Sequence, residues 1–237
     1  LGEVINVQAD HGQSLMTIKR LTDPNYAGGA LLDLGIYPVS FIYMILGKPE
    51  KVTSRAELVG GVDYQTSSIF EYSTGAHATF TTNLKVKGPT VAIVSGTKAR
   101  LELHTSFYRP TDMRLIYNDG NTVEFKNEYR GHGLREQAIY FEKMLISGKK
   151  SSALLPIDET VSIMQTLDEI RNQILDSMKD GSFEIHTDMK ASPTGFPIKI
   201  VSLPGTTAMP ETFAARPKLC DMGYLREPIL LKSGSLA

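Results

Sequence analysis

The longest apolar run in the chain, Gly28 to Gly47, predicts a helix. It stops where Gly47 supplies a left-handed C′ position and Pro49 bars continuation. Within it Leu32, Ile36, Val39, Tyr43 and Leu46 recur at i, i+4, i+7, i+11 and i+14, a continuous apolar stripe. Asp33, Tyr37 and Ser40 fall on the neighbouring stripe. Pro38 disfavours helical geometry at Tyr37 and removes the N–H that would reach back to the Leu34 carbonyl. With Gly35 nearby, the helix is expected to kink or loosen there. A proline inside a helix costs about 3 kcal/mol, so compensation is expected beside Tyr37.

Elsewhere the period changes. Val4 to Ala9 alternate as a half-buried strand, and His11 to Tyr26 form a polar connection carrying Arg20. From Val52 to Lys126 the period is two. Strands are predicted at Val52–Val59, Gln65–Tyr72, Ala76–Leu84, Val91–Ser95, Ala99–His104, Met113–Tyr117 and Thr122–Phe125. Gly60-Gly61, Gly88-Pro89 and Asn118-Asp119-Gly120 are among the turns between them. Short links predict an antiparallel meander. In the third run Ala76, Ala78, Phe80, Thr82 and Leu84 share one side, and His77, Thr79, Thr81, Asn83 and Lys85 the other. The fold class expected is therefore α+β: an open, mostly antiparallel sheet with helices on one face and a threonine-rich open face.

Two helices close the patterned region. Leu134, Ala138, Phe141 and Leu145 give the first its stripe, and Gly148 stops it. Ile163, Leu167, Ile170, Ile174 and Met178 give the second its stripe, from about Asp158 to Asp180-Gly181. Beyond that, prolines multiply and periodicity weakens. The division expected is residues 1–184 as one α+β domain and 185–237 as an irregular tail, with Ile198–Leu203 as a candidate strand.

Composition removes several classes. A net charge of -1 leaves no electrostatic case for nucleic acid or an anionic membrane. The single cysteine, Cys220, cannot form an internal disulfide, which suits the reducing cytoplasm. Leu1 opens directly on a strand pattern, so no signal peptide is expected, and the chain reads as starting in mid-protein. The run at 28–47 is just long enough to span a bilayer. Its carboxylate, interior glycines and proline, without basic flanks, argue for a core helix instead.

Asp33 and Tyr37, one helical turn apart, are the best chemical lead. They fit either of two readings: hydrogen bonds from a core helix to the neighbouring sheet, or a catalytic acid/base pair. Arg20 reads as a solvated loop residue or a substrate ligand. Arg130-Gly131-His132-Gly133-Leu134-Arg135-Glu136 sits where a dinucleotide fingerprint belongs, but Glu136 replaces its third glycine. His132 reads as a surface residue or as facing a ligand cleft.

Residues 1 to about 184 resemble the C-terminal domain of the glucose–fructose oxidoreductase/inositol dehydrogenase/MocA (Gfo/Idh/MocA) family. The likeness rests on Gly28-Gly29-Ala30-Leu31-Leu32-Asp33-Leu34-Gly35-Ile36-Tyr37-Pro38, on Gly96-Thr97-Lys98-Ala99-Arg100-Leu101-Glu102-Leu103, on Glu136-Gln137-Ala138 and on Leu167-Asp168-Glu169-Ile170-Arg171. Tyr37, where most members have histidine, matches the dihydrodiol dehydrogenase-like branch. The resemblance implies a substrate-binding and oligomerisation domain of an NAD- or NADP-dependent enzyme. Tyr37 then exchanges a proton with a sugar or diol hydroxyl, Asp33 positions that hydroxyl, and Arg20 and His132 are candidate substrate ligands. In the family a lysine that assists the tyrosine belongs to an N-terminal Rossmann domain. That domain is not in this sequence, so no cofactor is expected to bind this chain alone, and the chain alone is expected to be inactive. A homo-oligomer through the open sheet face is expected. The alternatives are a non-catalytic self-associating or partner-binding sheet module, and a sugar-binding protein without turnover. The tail, residues 186–237, resembles a short piece of a flavin-dependent nitronate monooxygenase-like barrel, too short to hold flavin.

Overall fold

A computed structural model describes residues 1–129, 131 and 133–179, the side chains of 177–179 excepted. Eight strands form one sheet: β1 (Val4–Gly12), β2 (Lys51–Val59), β3 (Val62–Glu71), β4 (His77–Asn83), β5 (Ala92–Gly96), β6 (Ala99–Leu103), β7 (Met113–Tyr117) and β8 (Thr122–Phe125). Their order is β2-β3-β4-β1-β5-β6-β7-β8. Every strand expected between Val4 and Phe125 is present, with bounds shifted by no more than a few residues. The expected single meander is not. β1 lies between β4 and β5, parallel to the first and antiparallel to the second.

The physical reason is in the link between β4 and β5. Residues 84–91 reach across the roughly 10 Å that one intervening strand imposes. Asp10 of β1 then fastens that link: its carboxylate accepts from Thr90 N (3.0 Å) and Val91 N (3.1 Å). Gly88 N donates to Gly12 O at 2.9 Å.

The two faces of the sheet differ as the alternation predicts. Val7, Ala9, Ala78, Phe80 and Val94 are buried, whereas Thr81 and Ile69 on the other face are exposed. After one short helical turn, α1 (Lys19–Thr22), the buried face is crossed by α2 (Ile36–Leu46), whose residues from Ile36 to Tyr43 are all buried, and by α4 (Ile157–Lys179). Phe41 meets Phe107 edge-on at 5.5 Å, and Phe70 meets Phe80 at 5.8 Å. Ile163, Leu167, Ile170 and Ile174 of α4 are buried as their spacing predicts. Tyr43 OH joins the two helices through Thr166 Oγ1 (2.6 Å) and donates to Ser162 O (3.1 Å).

α4 also covers an edge. β2 is a border strand, so Ser54 N and Val52 O have no strand beyond them. Gln173 fills both positions: its Oε1 accepts from Ser54 N at 2.9 Å, and its Nε2 donates to Val52 O at 2.7 Å. One amide side chain thus stands in for a neighbouring strand.

Helices on one face hold for α2 and α4. α3 (Leu134–Ile146) forms where its spacing predicts and ends before Gly148, yet none of its residues is buried. Phe141 is 59% and Leu145 61% exposed. The helical stretch Pro24–Leu46 is long and apolar enough to cross a membrane, but 72% of its most apolar window is buried, as suits a core helix. The Met178 side chain, the Asp180-Gly181 stop, the 184/185 boundary, the candidate strand Ile198–Leu203, Cys220 and the tail resembling a nitronate monooxygenase lie outside what the structure describes.

Candidate functional site

The expected irregularity is a π-helical turn, Leu31–Gly35, leading into α2. Its start is held from β3. Asp63 Oδ2 accepts from Leu31 N (2.7 Å) and from Thr66 Oγ1 (2.8 Å). Gly29, at φ +122, passes so close that a Cβ there would collide with Asp63 Oδ1. Burial pushes the Asp63 carboxyl up to about 6, against the downward pull of its hydroxyl and amide donors.

At the other end of the turn Pro38 has no N–H for the Leu34 carbonyl. The compensation is His11, which brings Nδ1 to 3.1 Å from Leu34 O, alongside the Ile36 amide. A carbonyl only accepts, so Nδ1 carries the proton. Nε2 then accepts from Gln13 Nε2 at 2.8 Å. Both bonds are met by a neutral imidazole, and His11 is 1% exposed.

These elements wall a cleft of about 330 Å³. Tyr37, 6% exposed, and Asp33 line it from the helical side. Arg20 reaches in from the connection after β1 and pairs with Asp33: Nη2 to Oδ1 is 2.8 Å, with the side chains 52% and 14% exposed. His11, Tyr108 and Arg109 complete it. The rings of His11, Tyr37 and Tyr108 form a cluster, with centroids 5.1 Å (His11–Tyr37), 4.7 Å (His11–Tyr108) and 4.6 Å (Tyr37–Tyr108) apart.

Three of the four sequence candidates therefore meet in one place. Arg20 is not merely solvated, and Asp33 faces a cleft. His132 lies outside the described residues. Ser40, one turn beyond Tyr37, is buried, and its Oγ finds no partner among the described residues. Sequence reasoning missed His11, Gln13, Tyr108 and Arg109. His11 was detectable, since it occupies an inward position of β1 after Val7 and Ala9, where a polar side chain demands an explanation. Tyr108 and Arg109 follow β6 in an aperiodic loop and carry no such signal.

A second, shallower cleft of about 510 Å³ shares Arg109 and is otherwise floored by a closed hydrogen-bond set. There Asp112 accepts from Asn127 N (2.8 Å) and Lys126 Nζ (2.9 Å), which hold its carboxyl below the usual range. Among the described residues no three His, Cys, Asp or Glu side chains gather as a metal site.

The start of α3 keeps part of the dinucleotide pattern and departs from the rest. Gly131 and Gly133 do take left-handed conformations there (φ 87 and 88). In the first turn, where a pyrophosphate would approach, stands the Glu136 carboxylate, which the Arg135 guanidinium holds below its ordinary pKa. Glu136 thus pairs its charge with its neighbour Arg135, where the fingerprint would have a glycine.

Residues 1–102 match the family model described as the GFO/IDH/MocA C-terminal domain. The chain is 35% identical over 185 residues to trans-1,2-dihydrobenzene-1,2-diol dehydrogenase of Mus musculus, covering 73% of this chain and 54% of the relative. The Homo sapiens protein of that name is 33% identical over 187 residues, with the same coverage. The chain thus spans about half the length of the curated relatives it matches. Among solved structures, aldose-aldose oxidoreductase from Caulobacter crescentus superposes with a TM-score of 0.63 at 20% identity, over 75% of this chain and 55% of that one. The 3-ketoreductase KijD10 from Actinomadura kijaniata, solved with NADP and TDP-benzene, gives 0.63 at 17%, over 73% and 55%. The mixed sheet, the diglycine-led helix and these matches agree: the chain belongs to the Gfo/Idh/MocA oxidoreductase family and carries its C-terminal domain.

Proposed function

We propose that this chain is the substrate-binding and dimerisation part of an NAD(P)-dependent sugar or diol dehydrogenase of the cytoplasm, inactive without a nucleotide-binding half. The observation that carries this reading is the meeting of the Tyr37 ring and the Asp33 carboxylate in one cleft, with Arg20 2.8 Å from that carboxylate.

Oxidising an alcohol to a carbonyl removes a hydride from carbon and a proton from oxygen. Asp33, oriented by Arg20, accepts a hydrogen bond from a substrate hydroxyl. Tyr37 takes the proton of the hydroxyl that is oxidised, or returns it in reduction. An ordinary phenol titrates near ~10, so a tyrosine base at neutral pH needs a cation close by. Arg20 and Arg109 are this chain's cations in the cleft. The hydride acceptor is assigned to a separate nucleotide-binding half, a reading supported by the Glu136 that stands in place of the fingerprint's third glycine. Leu134 and Ile18, both exposed at the cleft, and the uncovered stripe of α3 offer that half a seat.

The open sheet face supports the dimer. Its middle carries Thr79, Thr81, Gln8 and the exposed Ile69 and Ile5. Most of its charges lie toward the flanks and are paired within the chain, Lys51 with Glu71, Lys85 with Glu57, and Arg100 and Arg114 with Glu102, while Arg55 on the border strand donates to Ser54 O. A neutral centre with a self-satisfied charged rim is the anatomy of an interface between copies. The same face supports the second reading, a self-associating module without catalysis.

The test supplies a family-type nucleotide-binding domain in trans, with NAD+ or NADP+ and a panel of polyols. Turnover is expected, and Tyr37→Phe should lower kcat by about 10²-fold or more. Dimerisation without turnover of any polyol would establish the second reading instead. NADH or NADPH titrated onto the chain alone should give no micromolar fluorescence change.

A further inference from the structure

We propose that His11 is a positioning residue for Tyr37, a role that rests on the reading of Tyr37 as the proton-carrying group. A helix that bears its working side chain one residue before a proline has a local weakness. Pro38 cannot donate to Leu34 O, and the ladder there shifts into the π-helical turn Leu31–Gly35. Left to itself, such a junction could settle in more than one backbone geometry. The Tyr37 phenol, at the end of a long side chain, would move with it.

His11 removes that freedom from outside the helix. It projects from β1, which is hydrogen-bonded on both sides in the middle of the sheet. From that rigid base Nδ1–H donates to Leu34 O at 3.1 Å. The Leu34–Gly35 peptide, in the turn just before Tyr37, is therefore referenced to the sheet. The imidazole also stands edge-on to the Tyr37 ring at 5.1 Å and tilted against Tyr108 at 4.7 Å, so the phenol is held from its flank as well. Gln13 Nε2, 2.8 Å from His11 Nε2, fixes the tautomer that makes this possible. Its two ring nitrogens committed, His11 places the acid/base group and is not one itself.

Two variants separate the parts of this role. His11→Phe keeps a ring of similar size and loses the donor; His11→Asn keeps a donor near the Nδ1 position and loses the ring. Hydrogen exchange on the 237-residue chain reads the backbone. The Ile36, Tyr37 and Val39 amides should exchange about tenfold faster in His11→Phe and within about threefold of wild type in His11→Asn. In wild-type chain labelled with 15N-histidine, the His11 signals should show a protonated Nδ1 and an unprotonated Nε2 at neutral pH. Unchanged exchange in a folded His11→Phe, or a proton on Nε2 at neutral pH, overturns the proposal. With the nucleotide-binding half supplied, His11→Phe should lower kcat about tenfold while KM for the polyol changes less than twofold, and His11→Asn should recover most of kcat. A His11→Phe protein with wild-type kcat also overturns it. A wild-type protein that shows the exchange and nitrogen signatures but never turns over sinks the dehydrogenase reading alone.

Discussion

Replacing Asp63 by Asn should stabilise the protein at pH 7.5 and leave it unchanged near pH 4. Asp63 supports the cleft from below: its carboxylate takes the Leu31 amide at 2.7 Å and the Thr66 hydroxyl at 2.8 Å, both on Oδ2. Burial raises its pKa from the ordinary 3.8 to about 6. The folded state therefore binds this proton more tightly than the unfolded chain. Its contribution to stability is complete below pH 3.8 and is lost as pH rises through 6. At about 1.4 kcal/mol per pKa unit, the loss amounts to about 3 kcal/mol by pH 7.5. The start of the helix pulls the other way, since it favours a carboxylate, but by about 0.3–1 kcal/mol and at most ~2. Desolvation wins. Asparagine imitates the protonated acid, and its one carbonyl can accept both bonds that Oδ2 accepts. Urea unfolding of both proteins at pH 4 and 7.5 gives the difference directly, because the other titrating groups cancel between them. An Asp63→Asn variant less stable than wild type at pH 7.5 by more than about 1 kcal/mol would refute the reasoning. It would mean that the charge on the helix start outweighs its burial.

Two further perturbations test the architecture. Gln173→Leu leaves Ser54 N and Val52 O without partners at the border of the sheet, at a cost of about 1–3 kcal/mol. The Tm in a thermal melt should fall by roughly 3–10 °C, and a change under 1 °C would show that solvent serves that edge equally well. Phe141→Glu changes an exposed position of α3, so stability should move by no more than about 0.5 kcal/mol. Non-specific association, followed by light scattering, should decrease, and so should turnover with the nucleotide-binding half supplied. A marked loss of Tm would instead show that the stripe of α3 packs within this chain.

What could be read from the sequence was whatever is local. Period-two alternation located the strands because each keeps one face in the core, and the apolar stripe of α4 became its buried side. Pro38 announced an irregular helix. The partner that compensates it could not be read, because His11 is distant in sequence and β1 had no evident place in the sheet. Its insertion between β4 and β5 depends on a long-range pairing, and an antiparallel meander is the default that short links suggest. α3 shows the opposite limit. Its amphipathic spacing was plain, but the pattern says only that a face wants covering, not that this stretch of chain covers it. Arg20 had no periodic signal at all, and only its ion pair with Asp33 takes it out of the loop.

The insertion of β1 is also what gathers the cleft. β5 runs antiparallel to β1, and β6 antiparallel to β5, so β1 and β6 point the same way. The segments leaving their C-terminal ends therefore emerge at one end of the sheet: His11 and Gln13 from the first, Tyr108 and Arg109 from the second. β4, parallel to β1, ends there too. Leu84, the residue after it, joins Leu21, Ala30 and Leu34 in a small apolar cluster beneath the π-helical turn. Thr82 Oγ1 donates to His11 O at 2.9 Å, tying the last residues of the two parallel strands together under the same turn. In a simple meander β4 would pair with β5, and β1 would have no place between them from which to project His11. Tyr37 and Asp33 would then sit on a loosened helix with nothing opposite. The parallel pairing of β1 and β4 thus determines both the shape of the sheet and how firmly a tyrosine beside a proline is held, which is what its proposed role in carrying a proton requires.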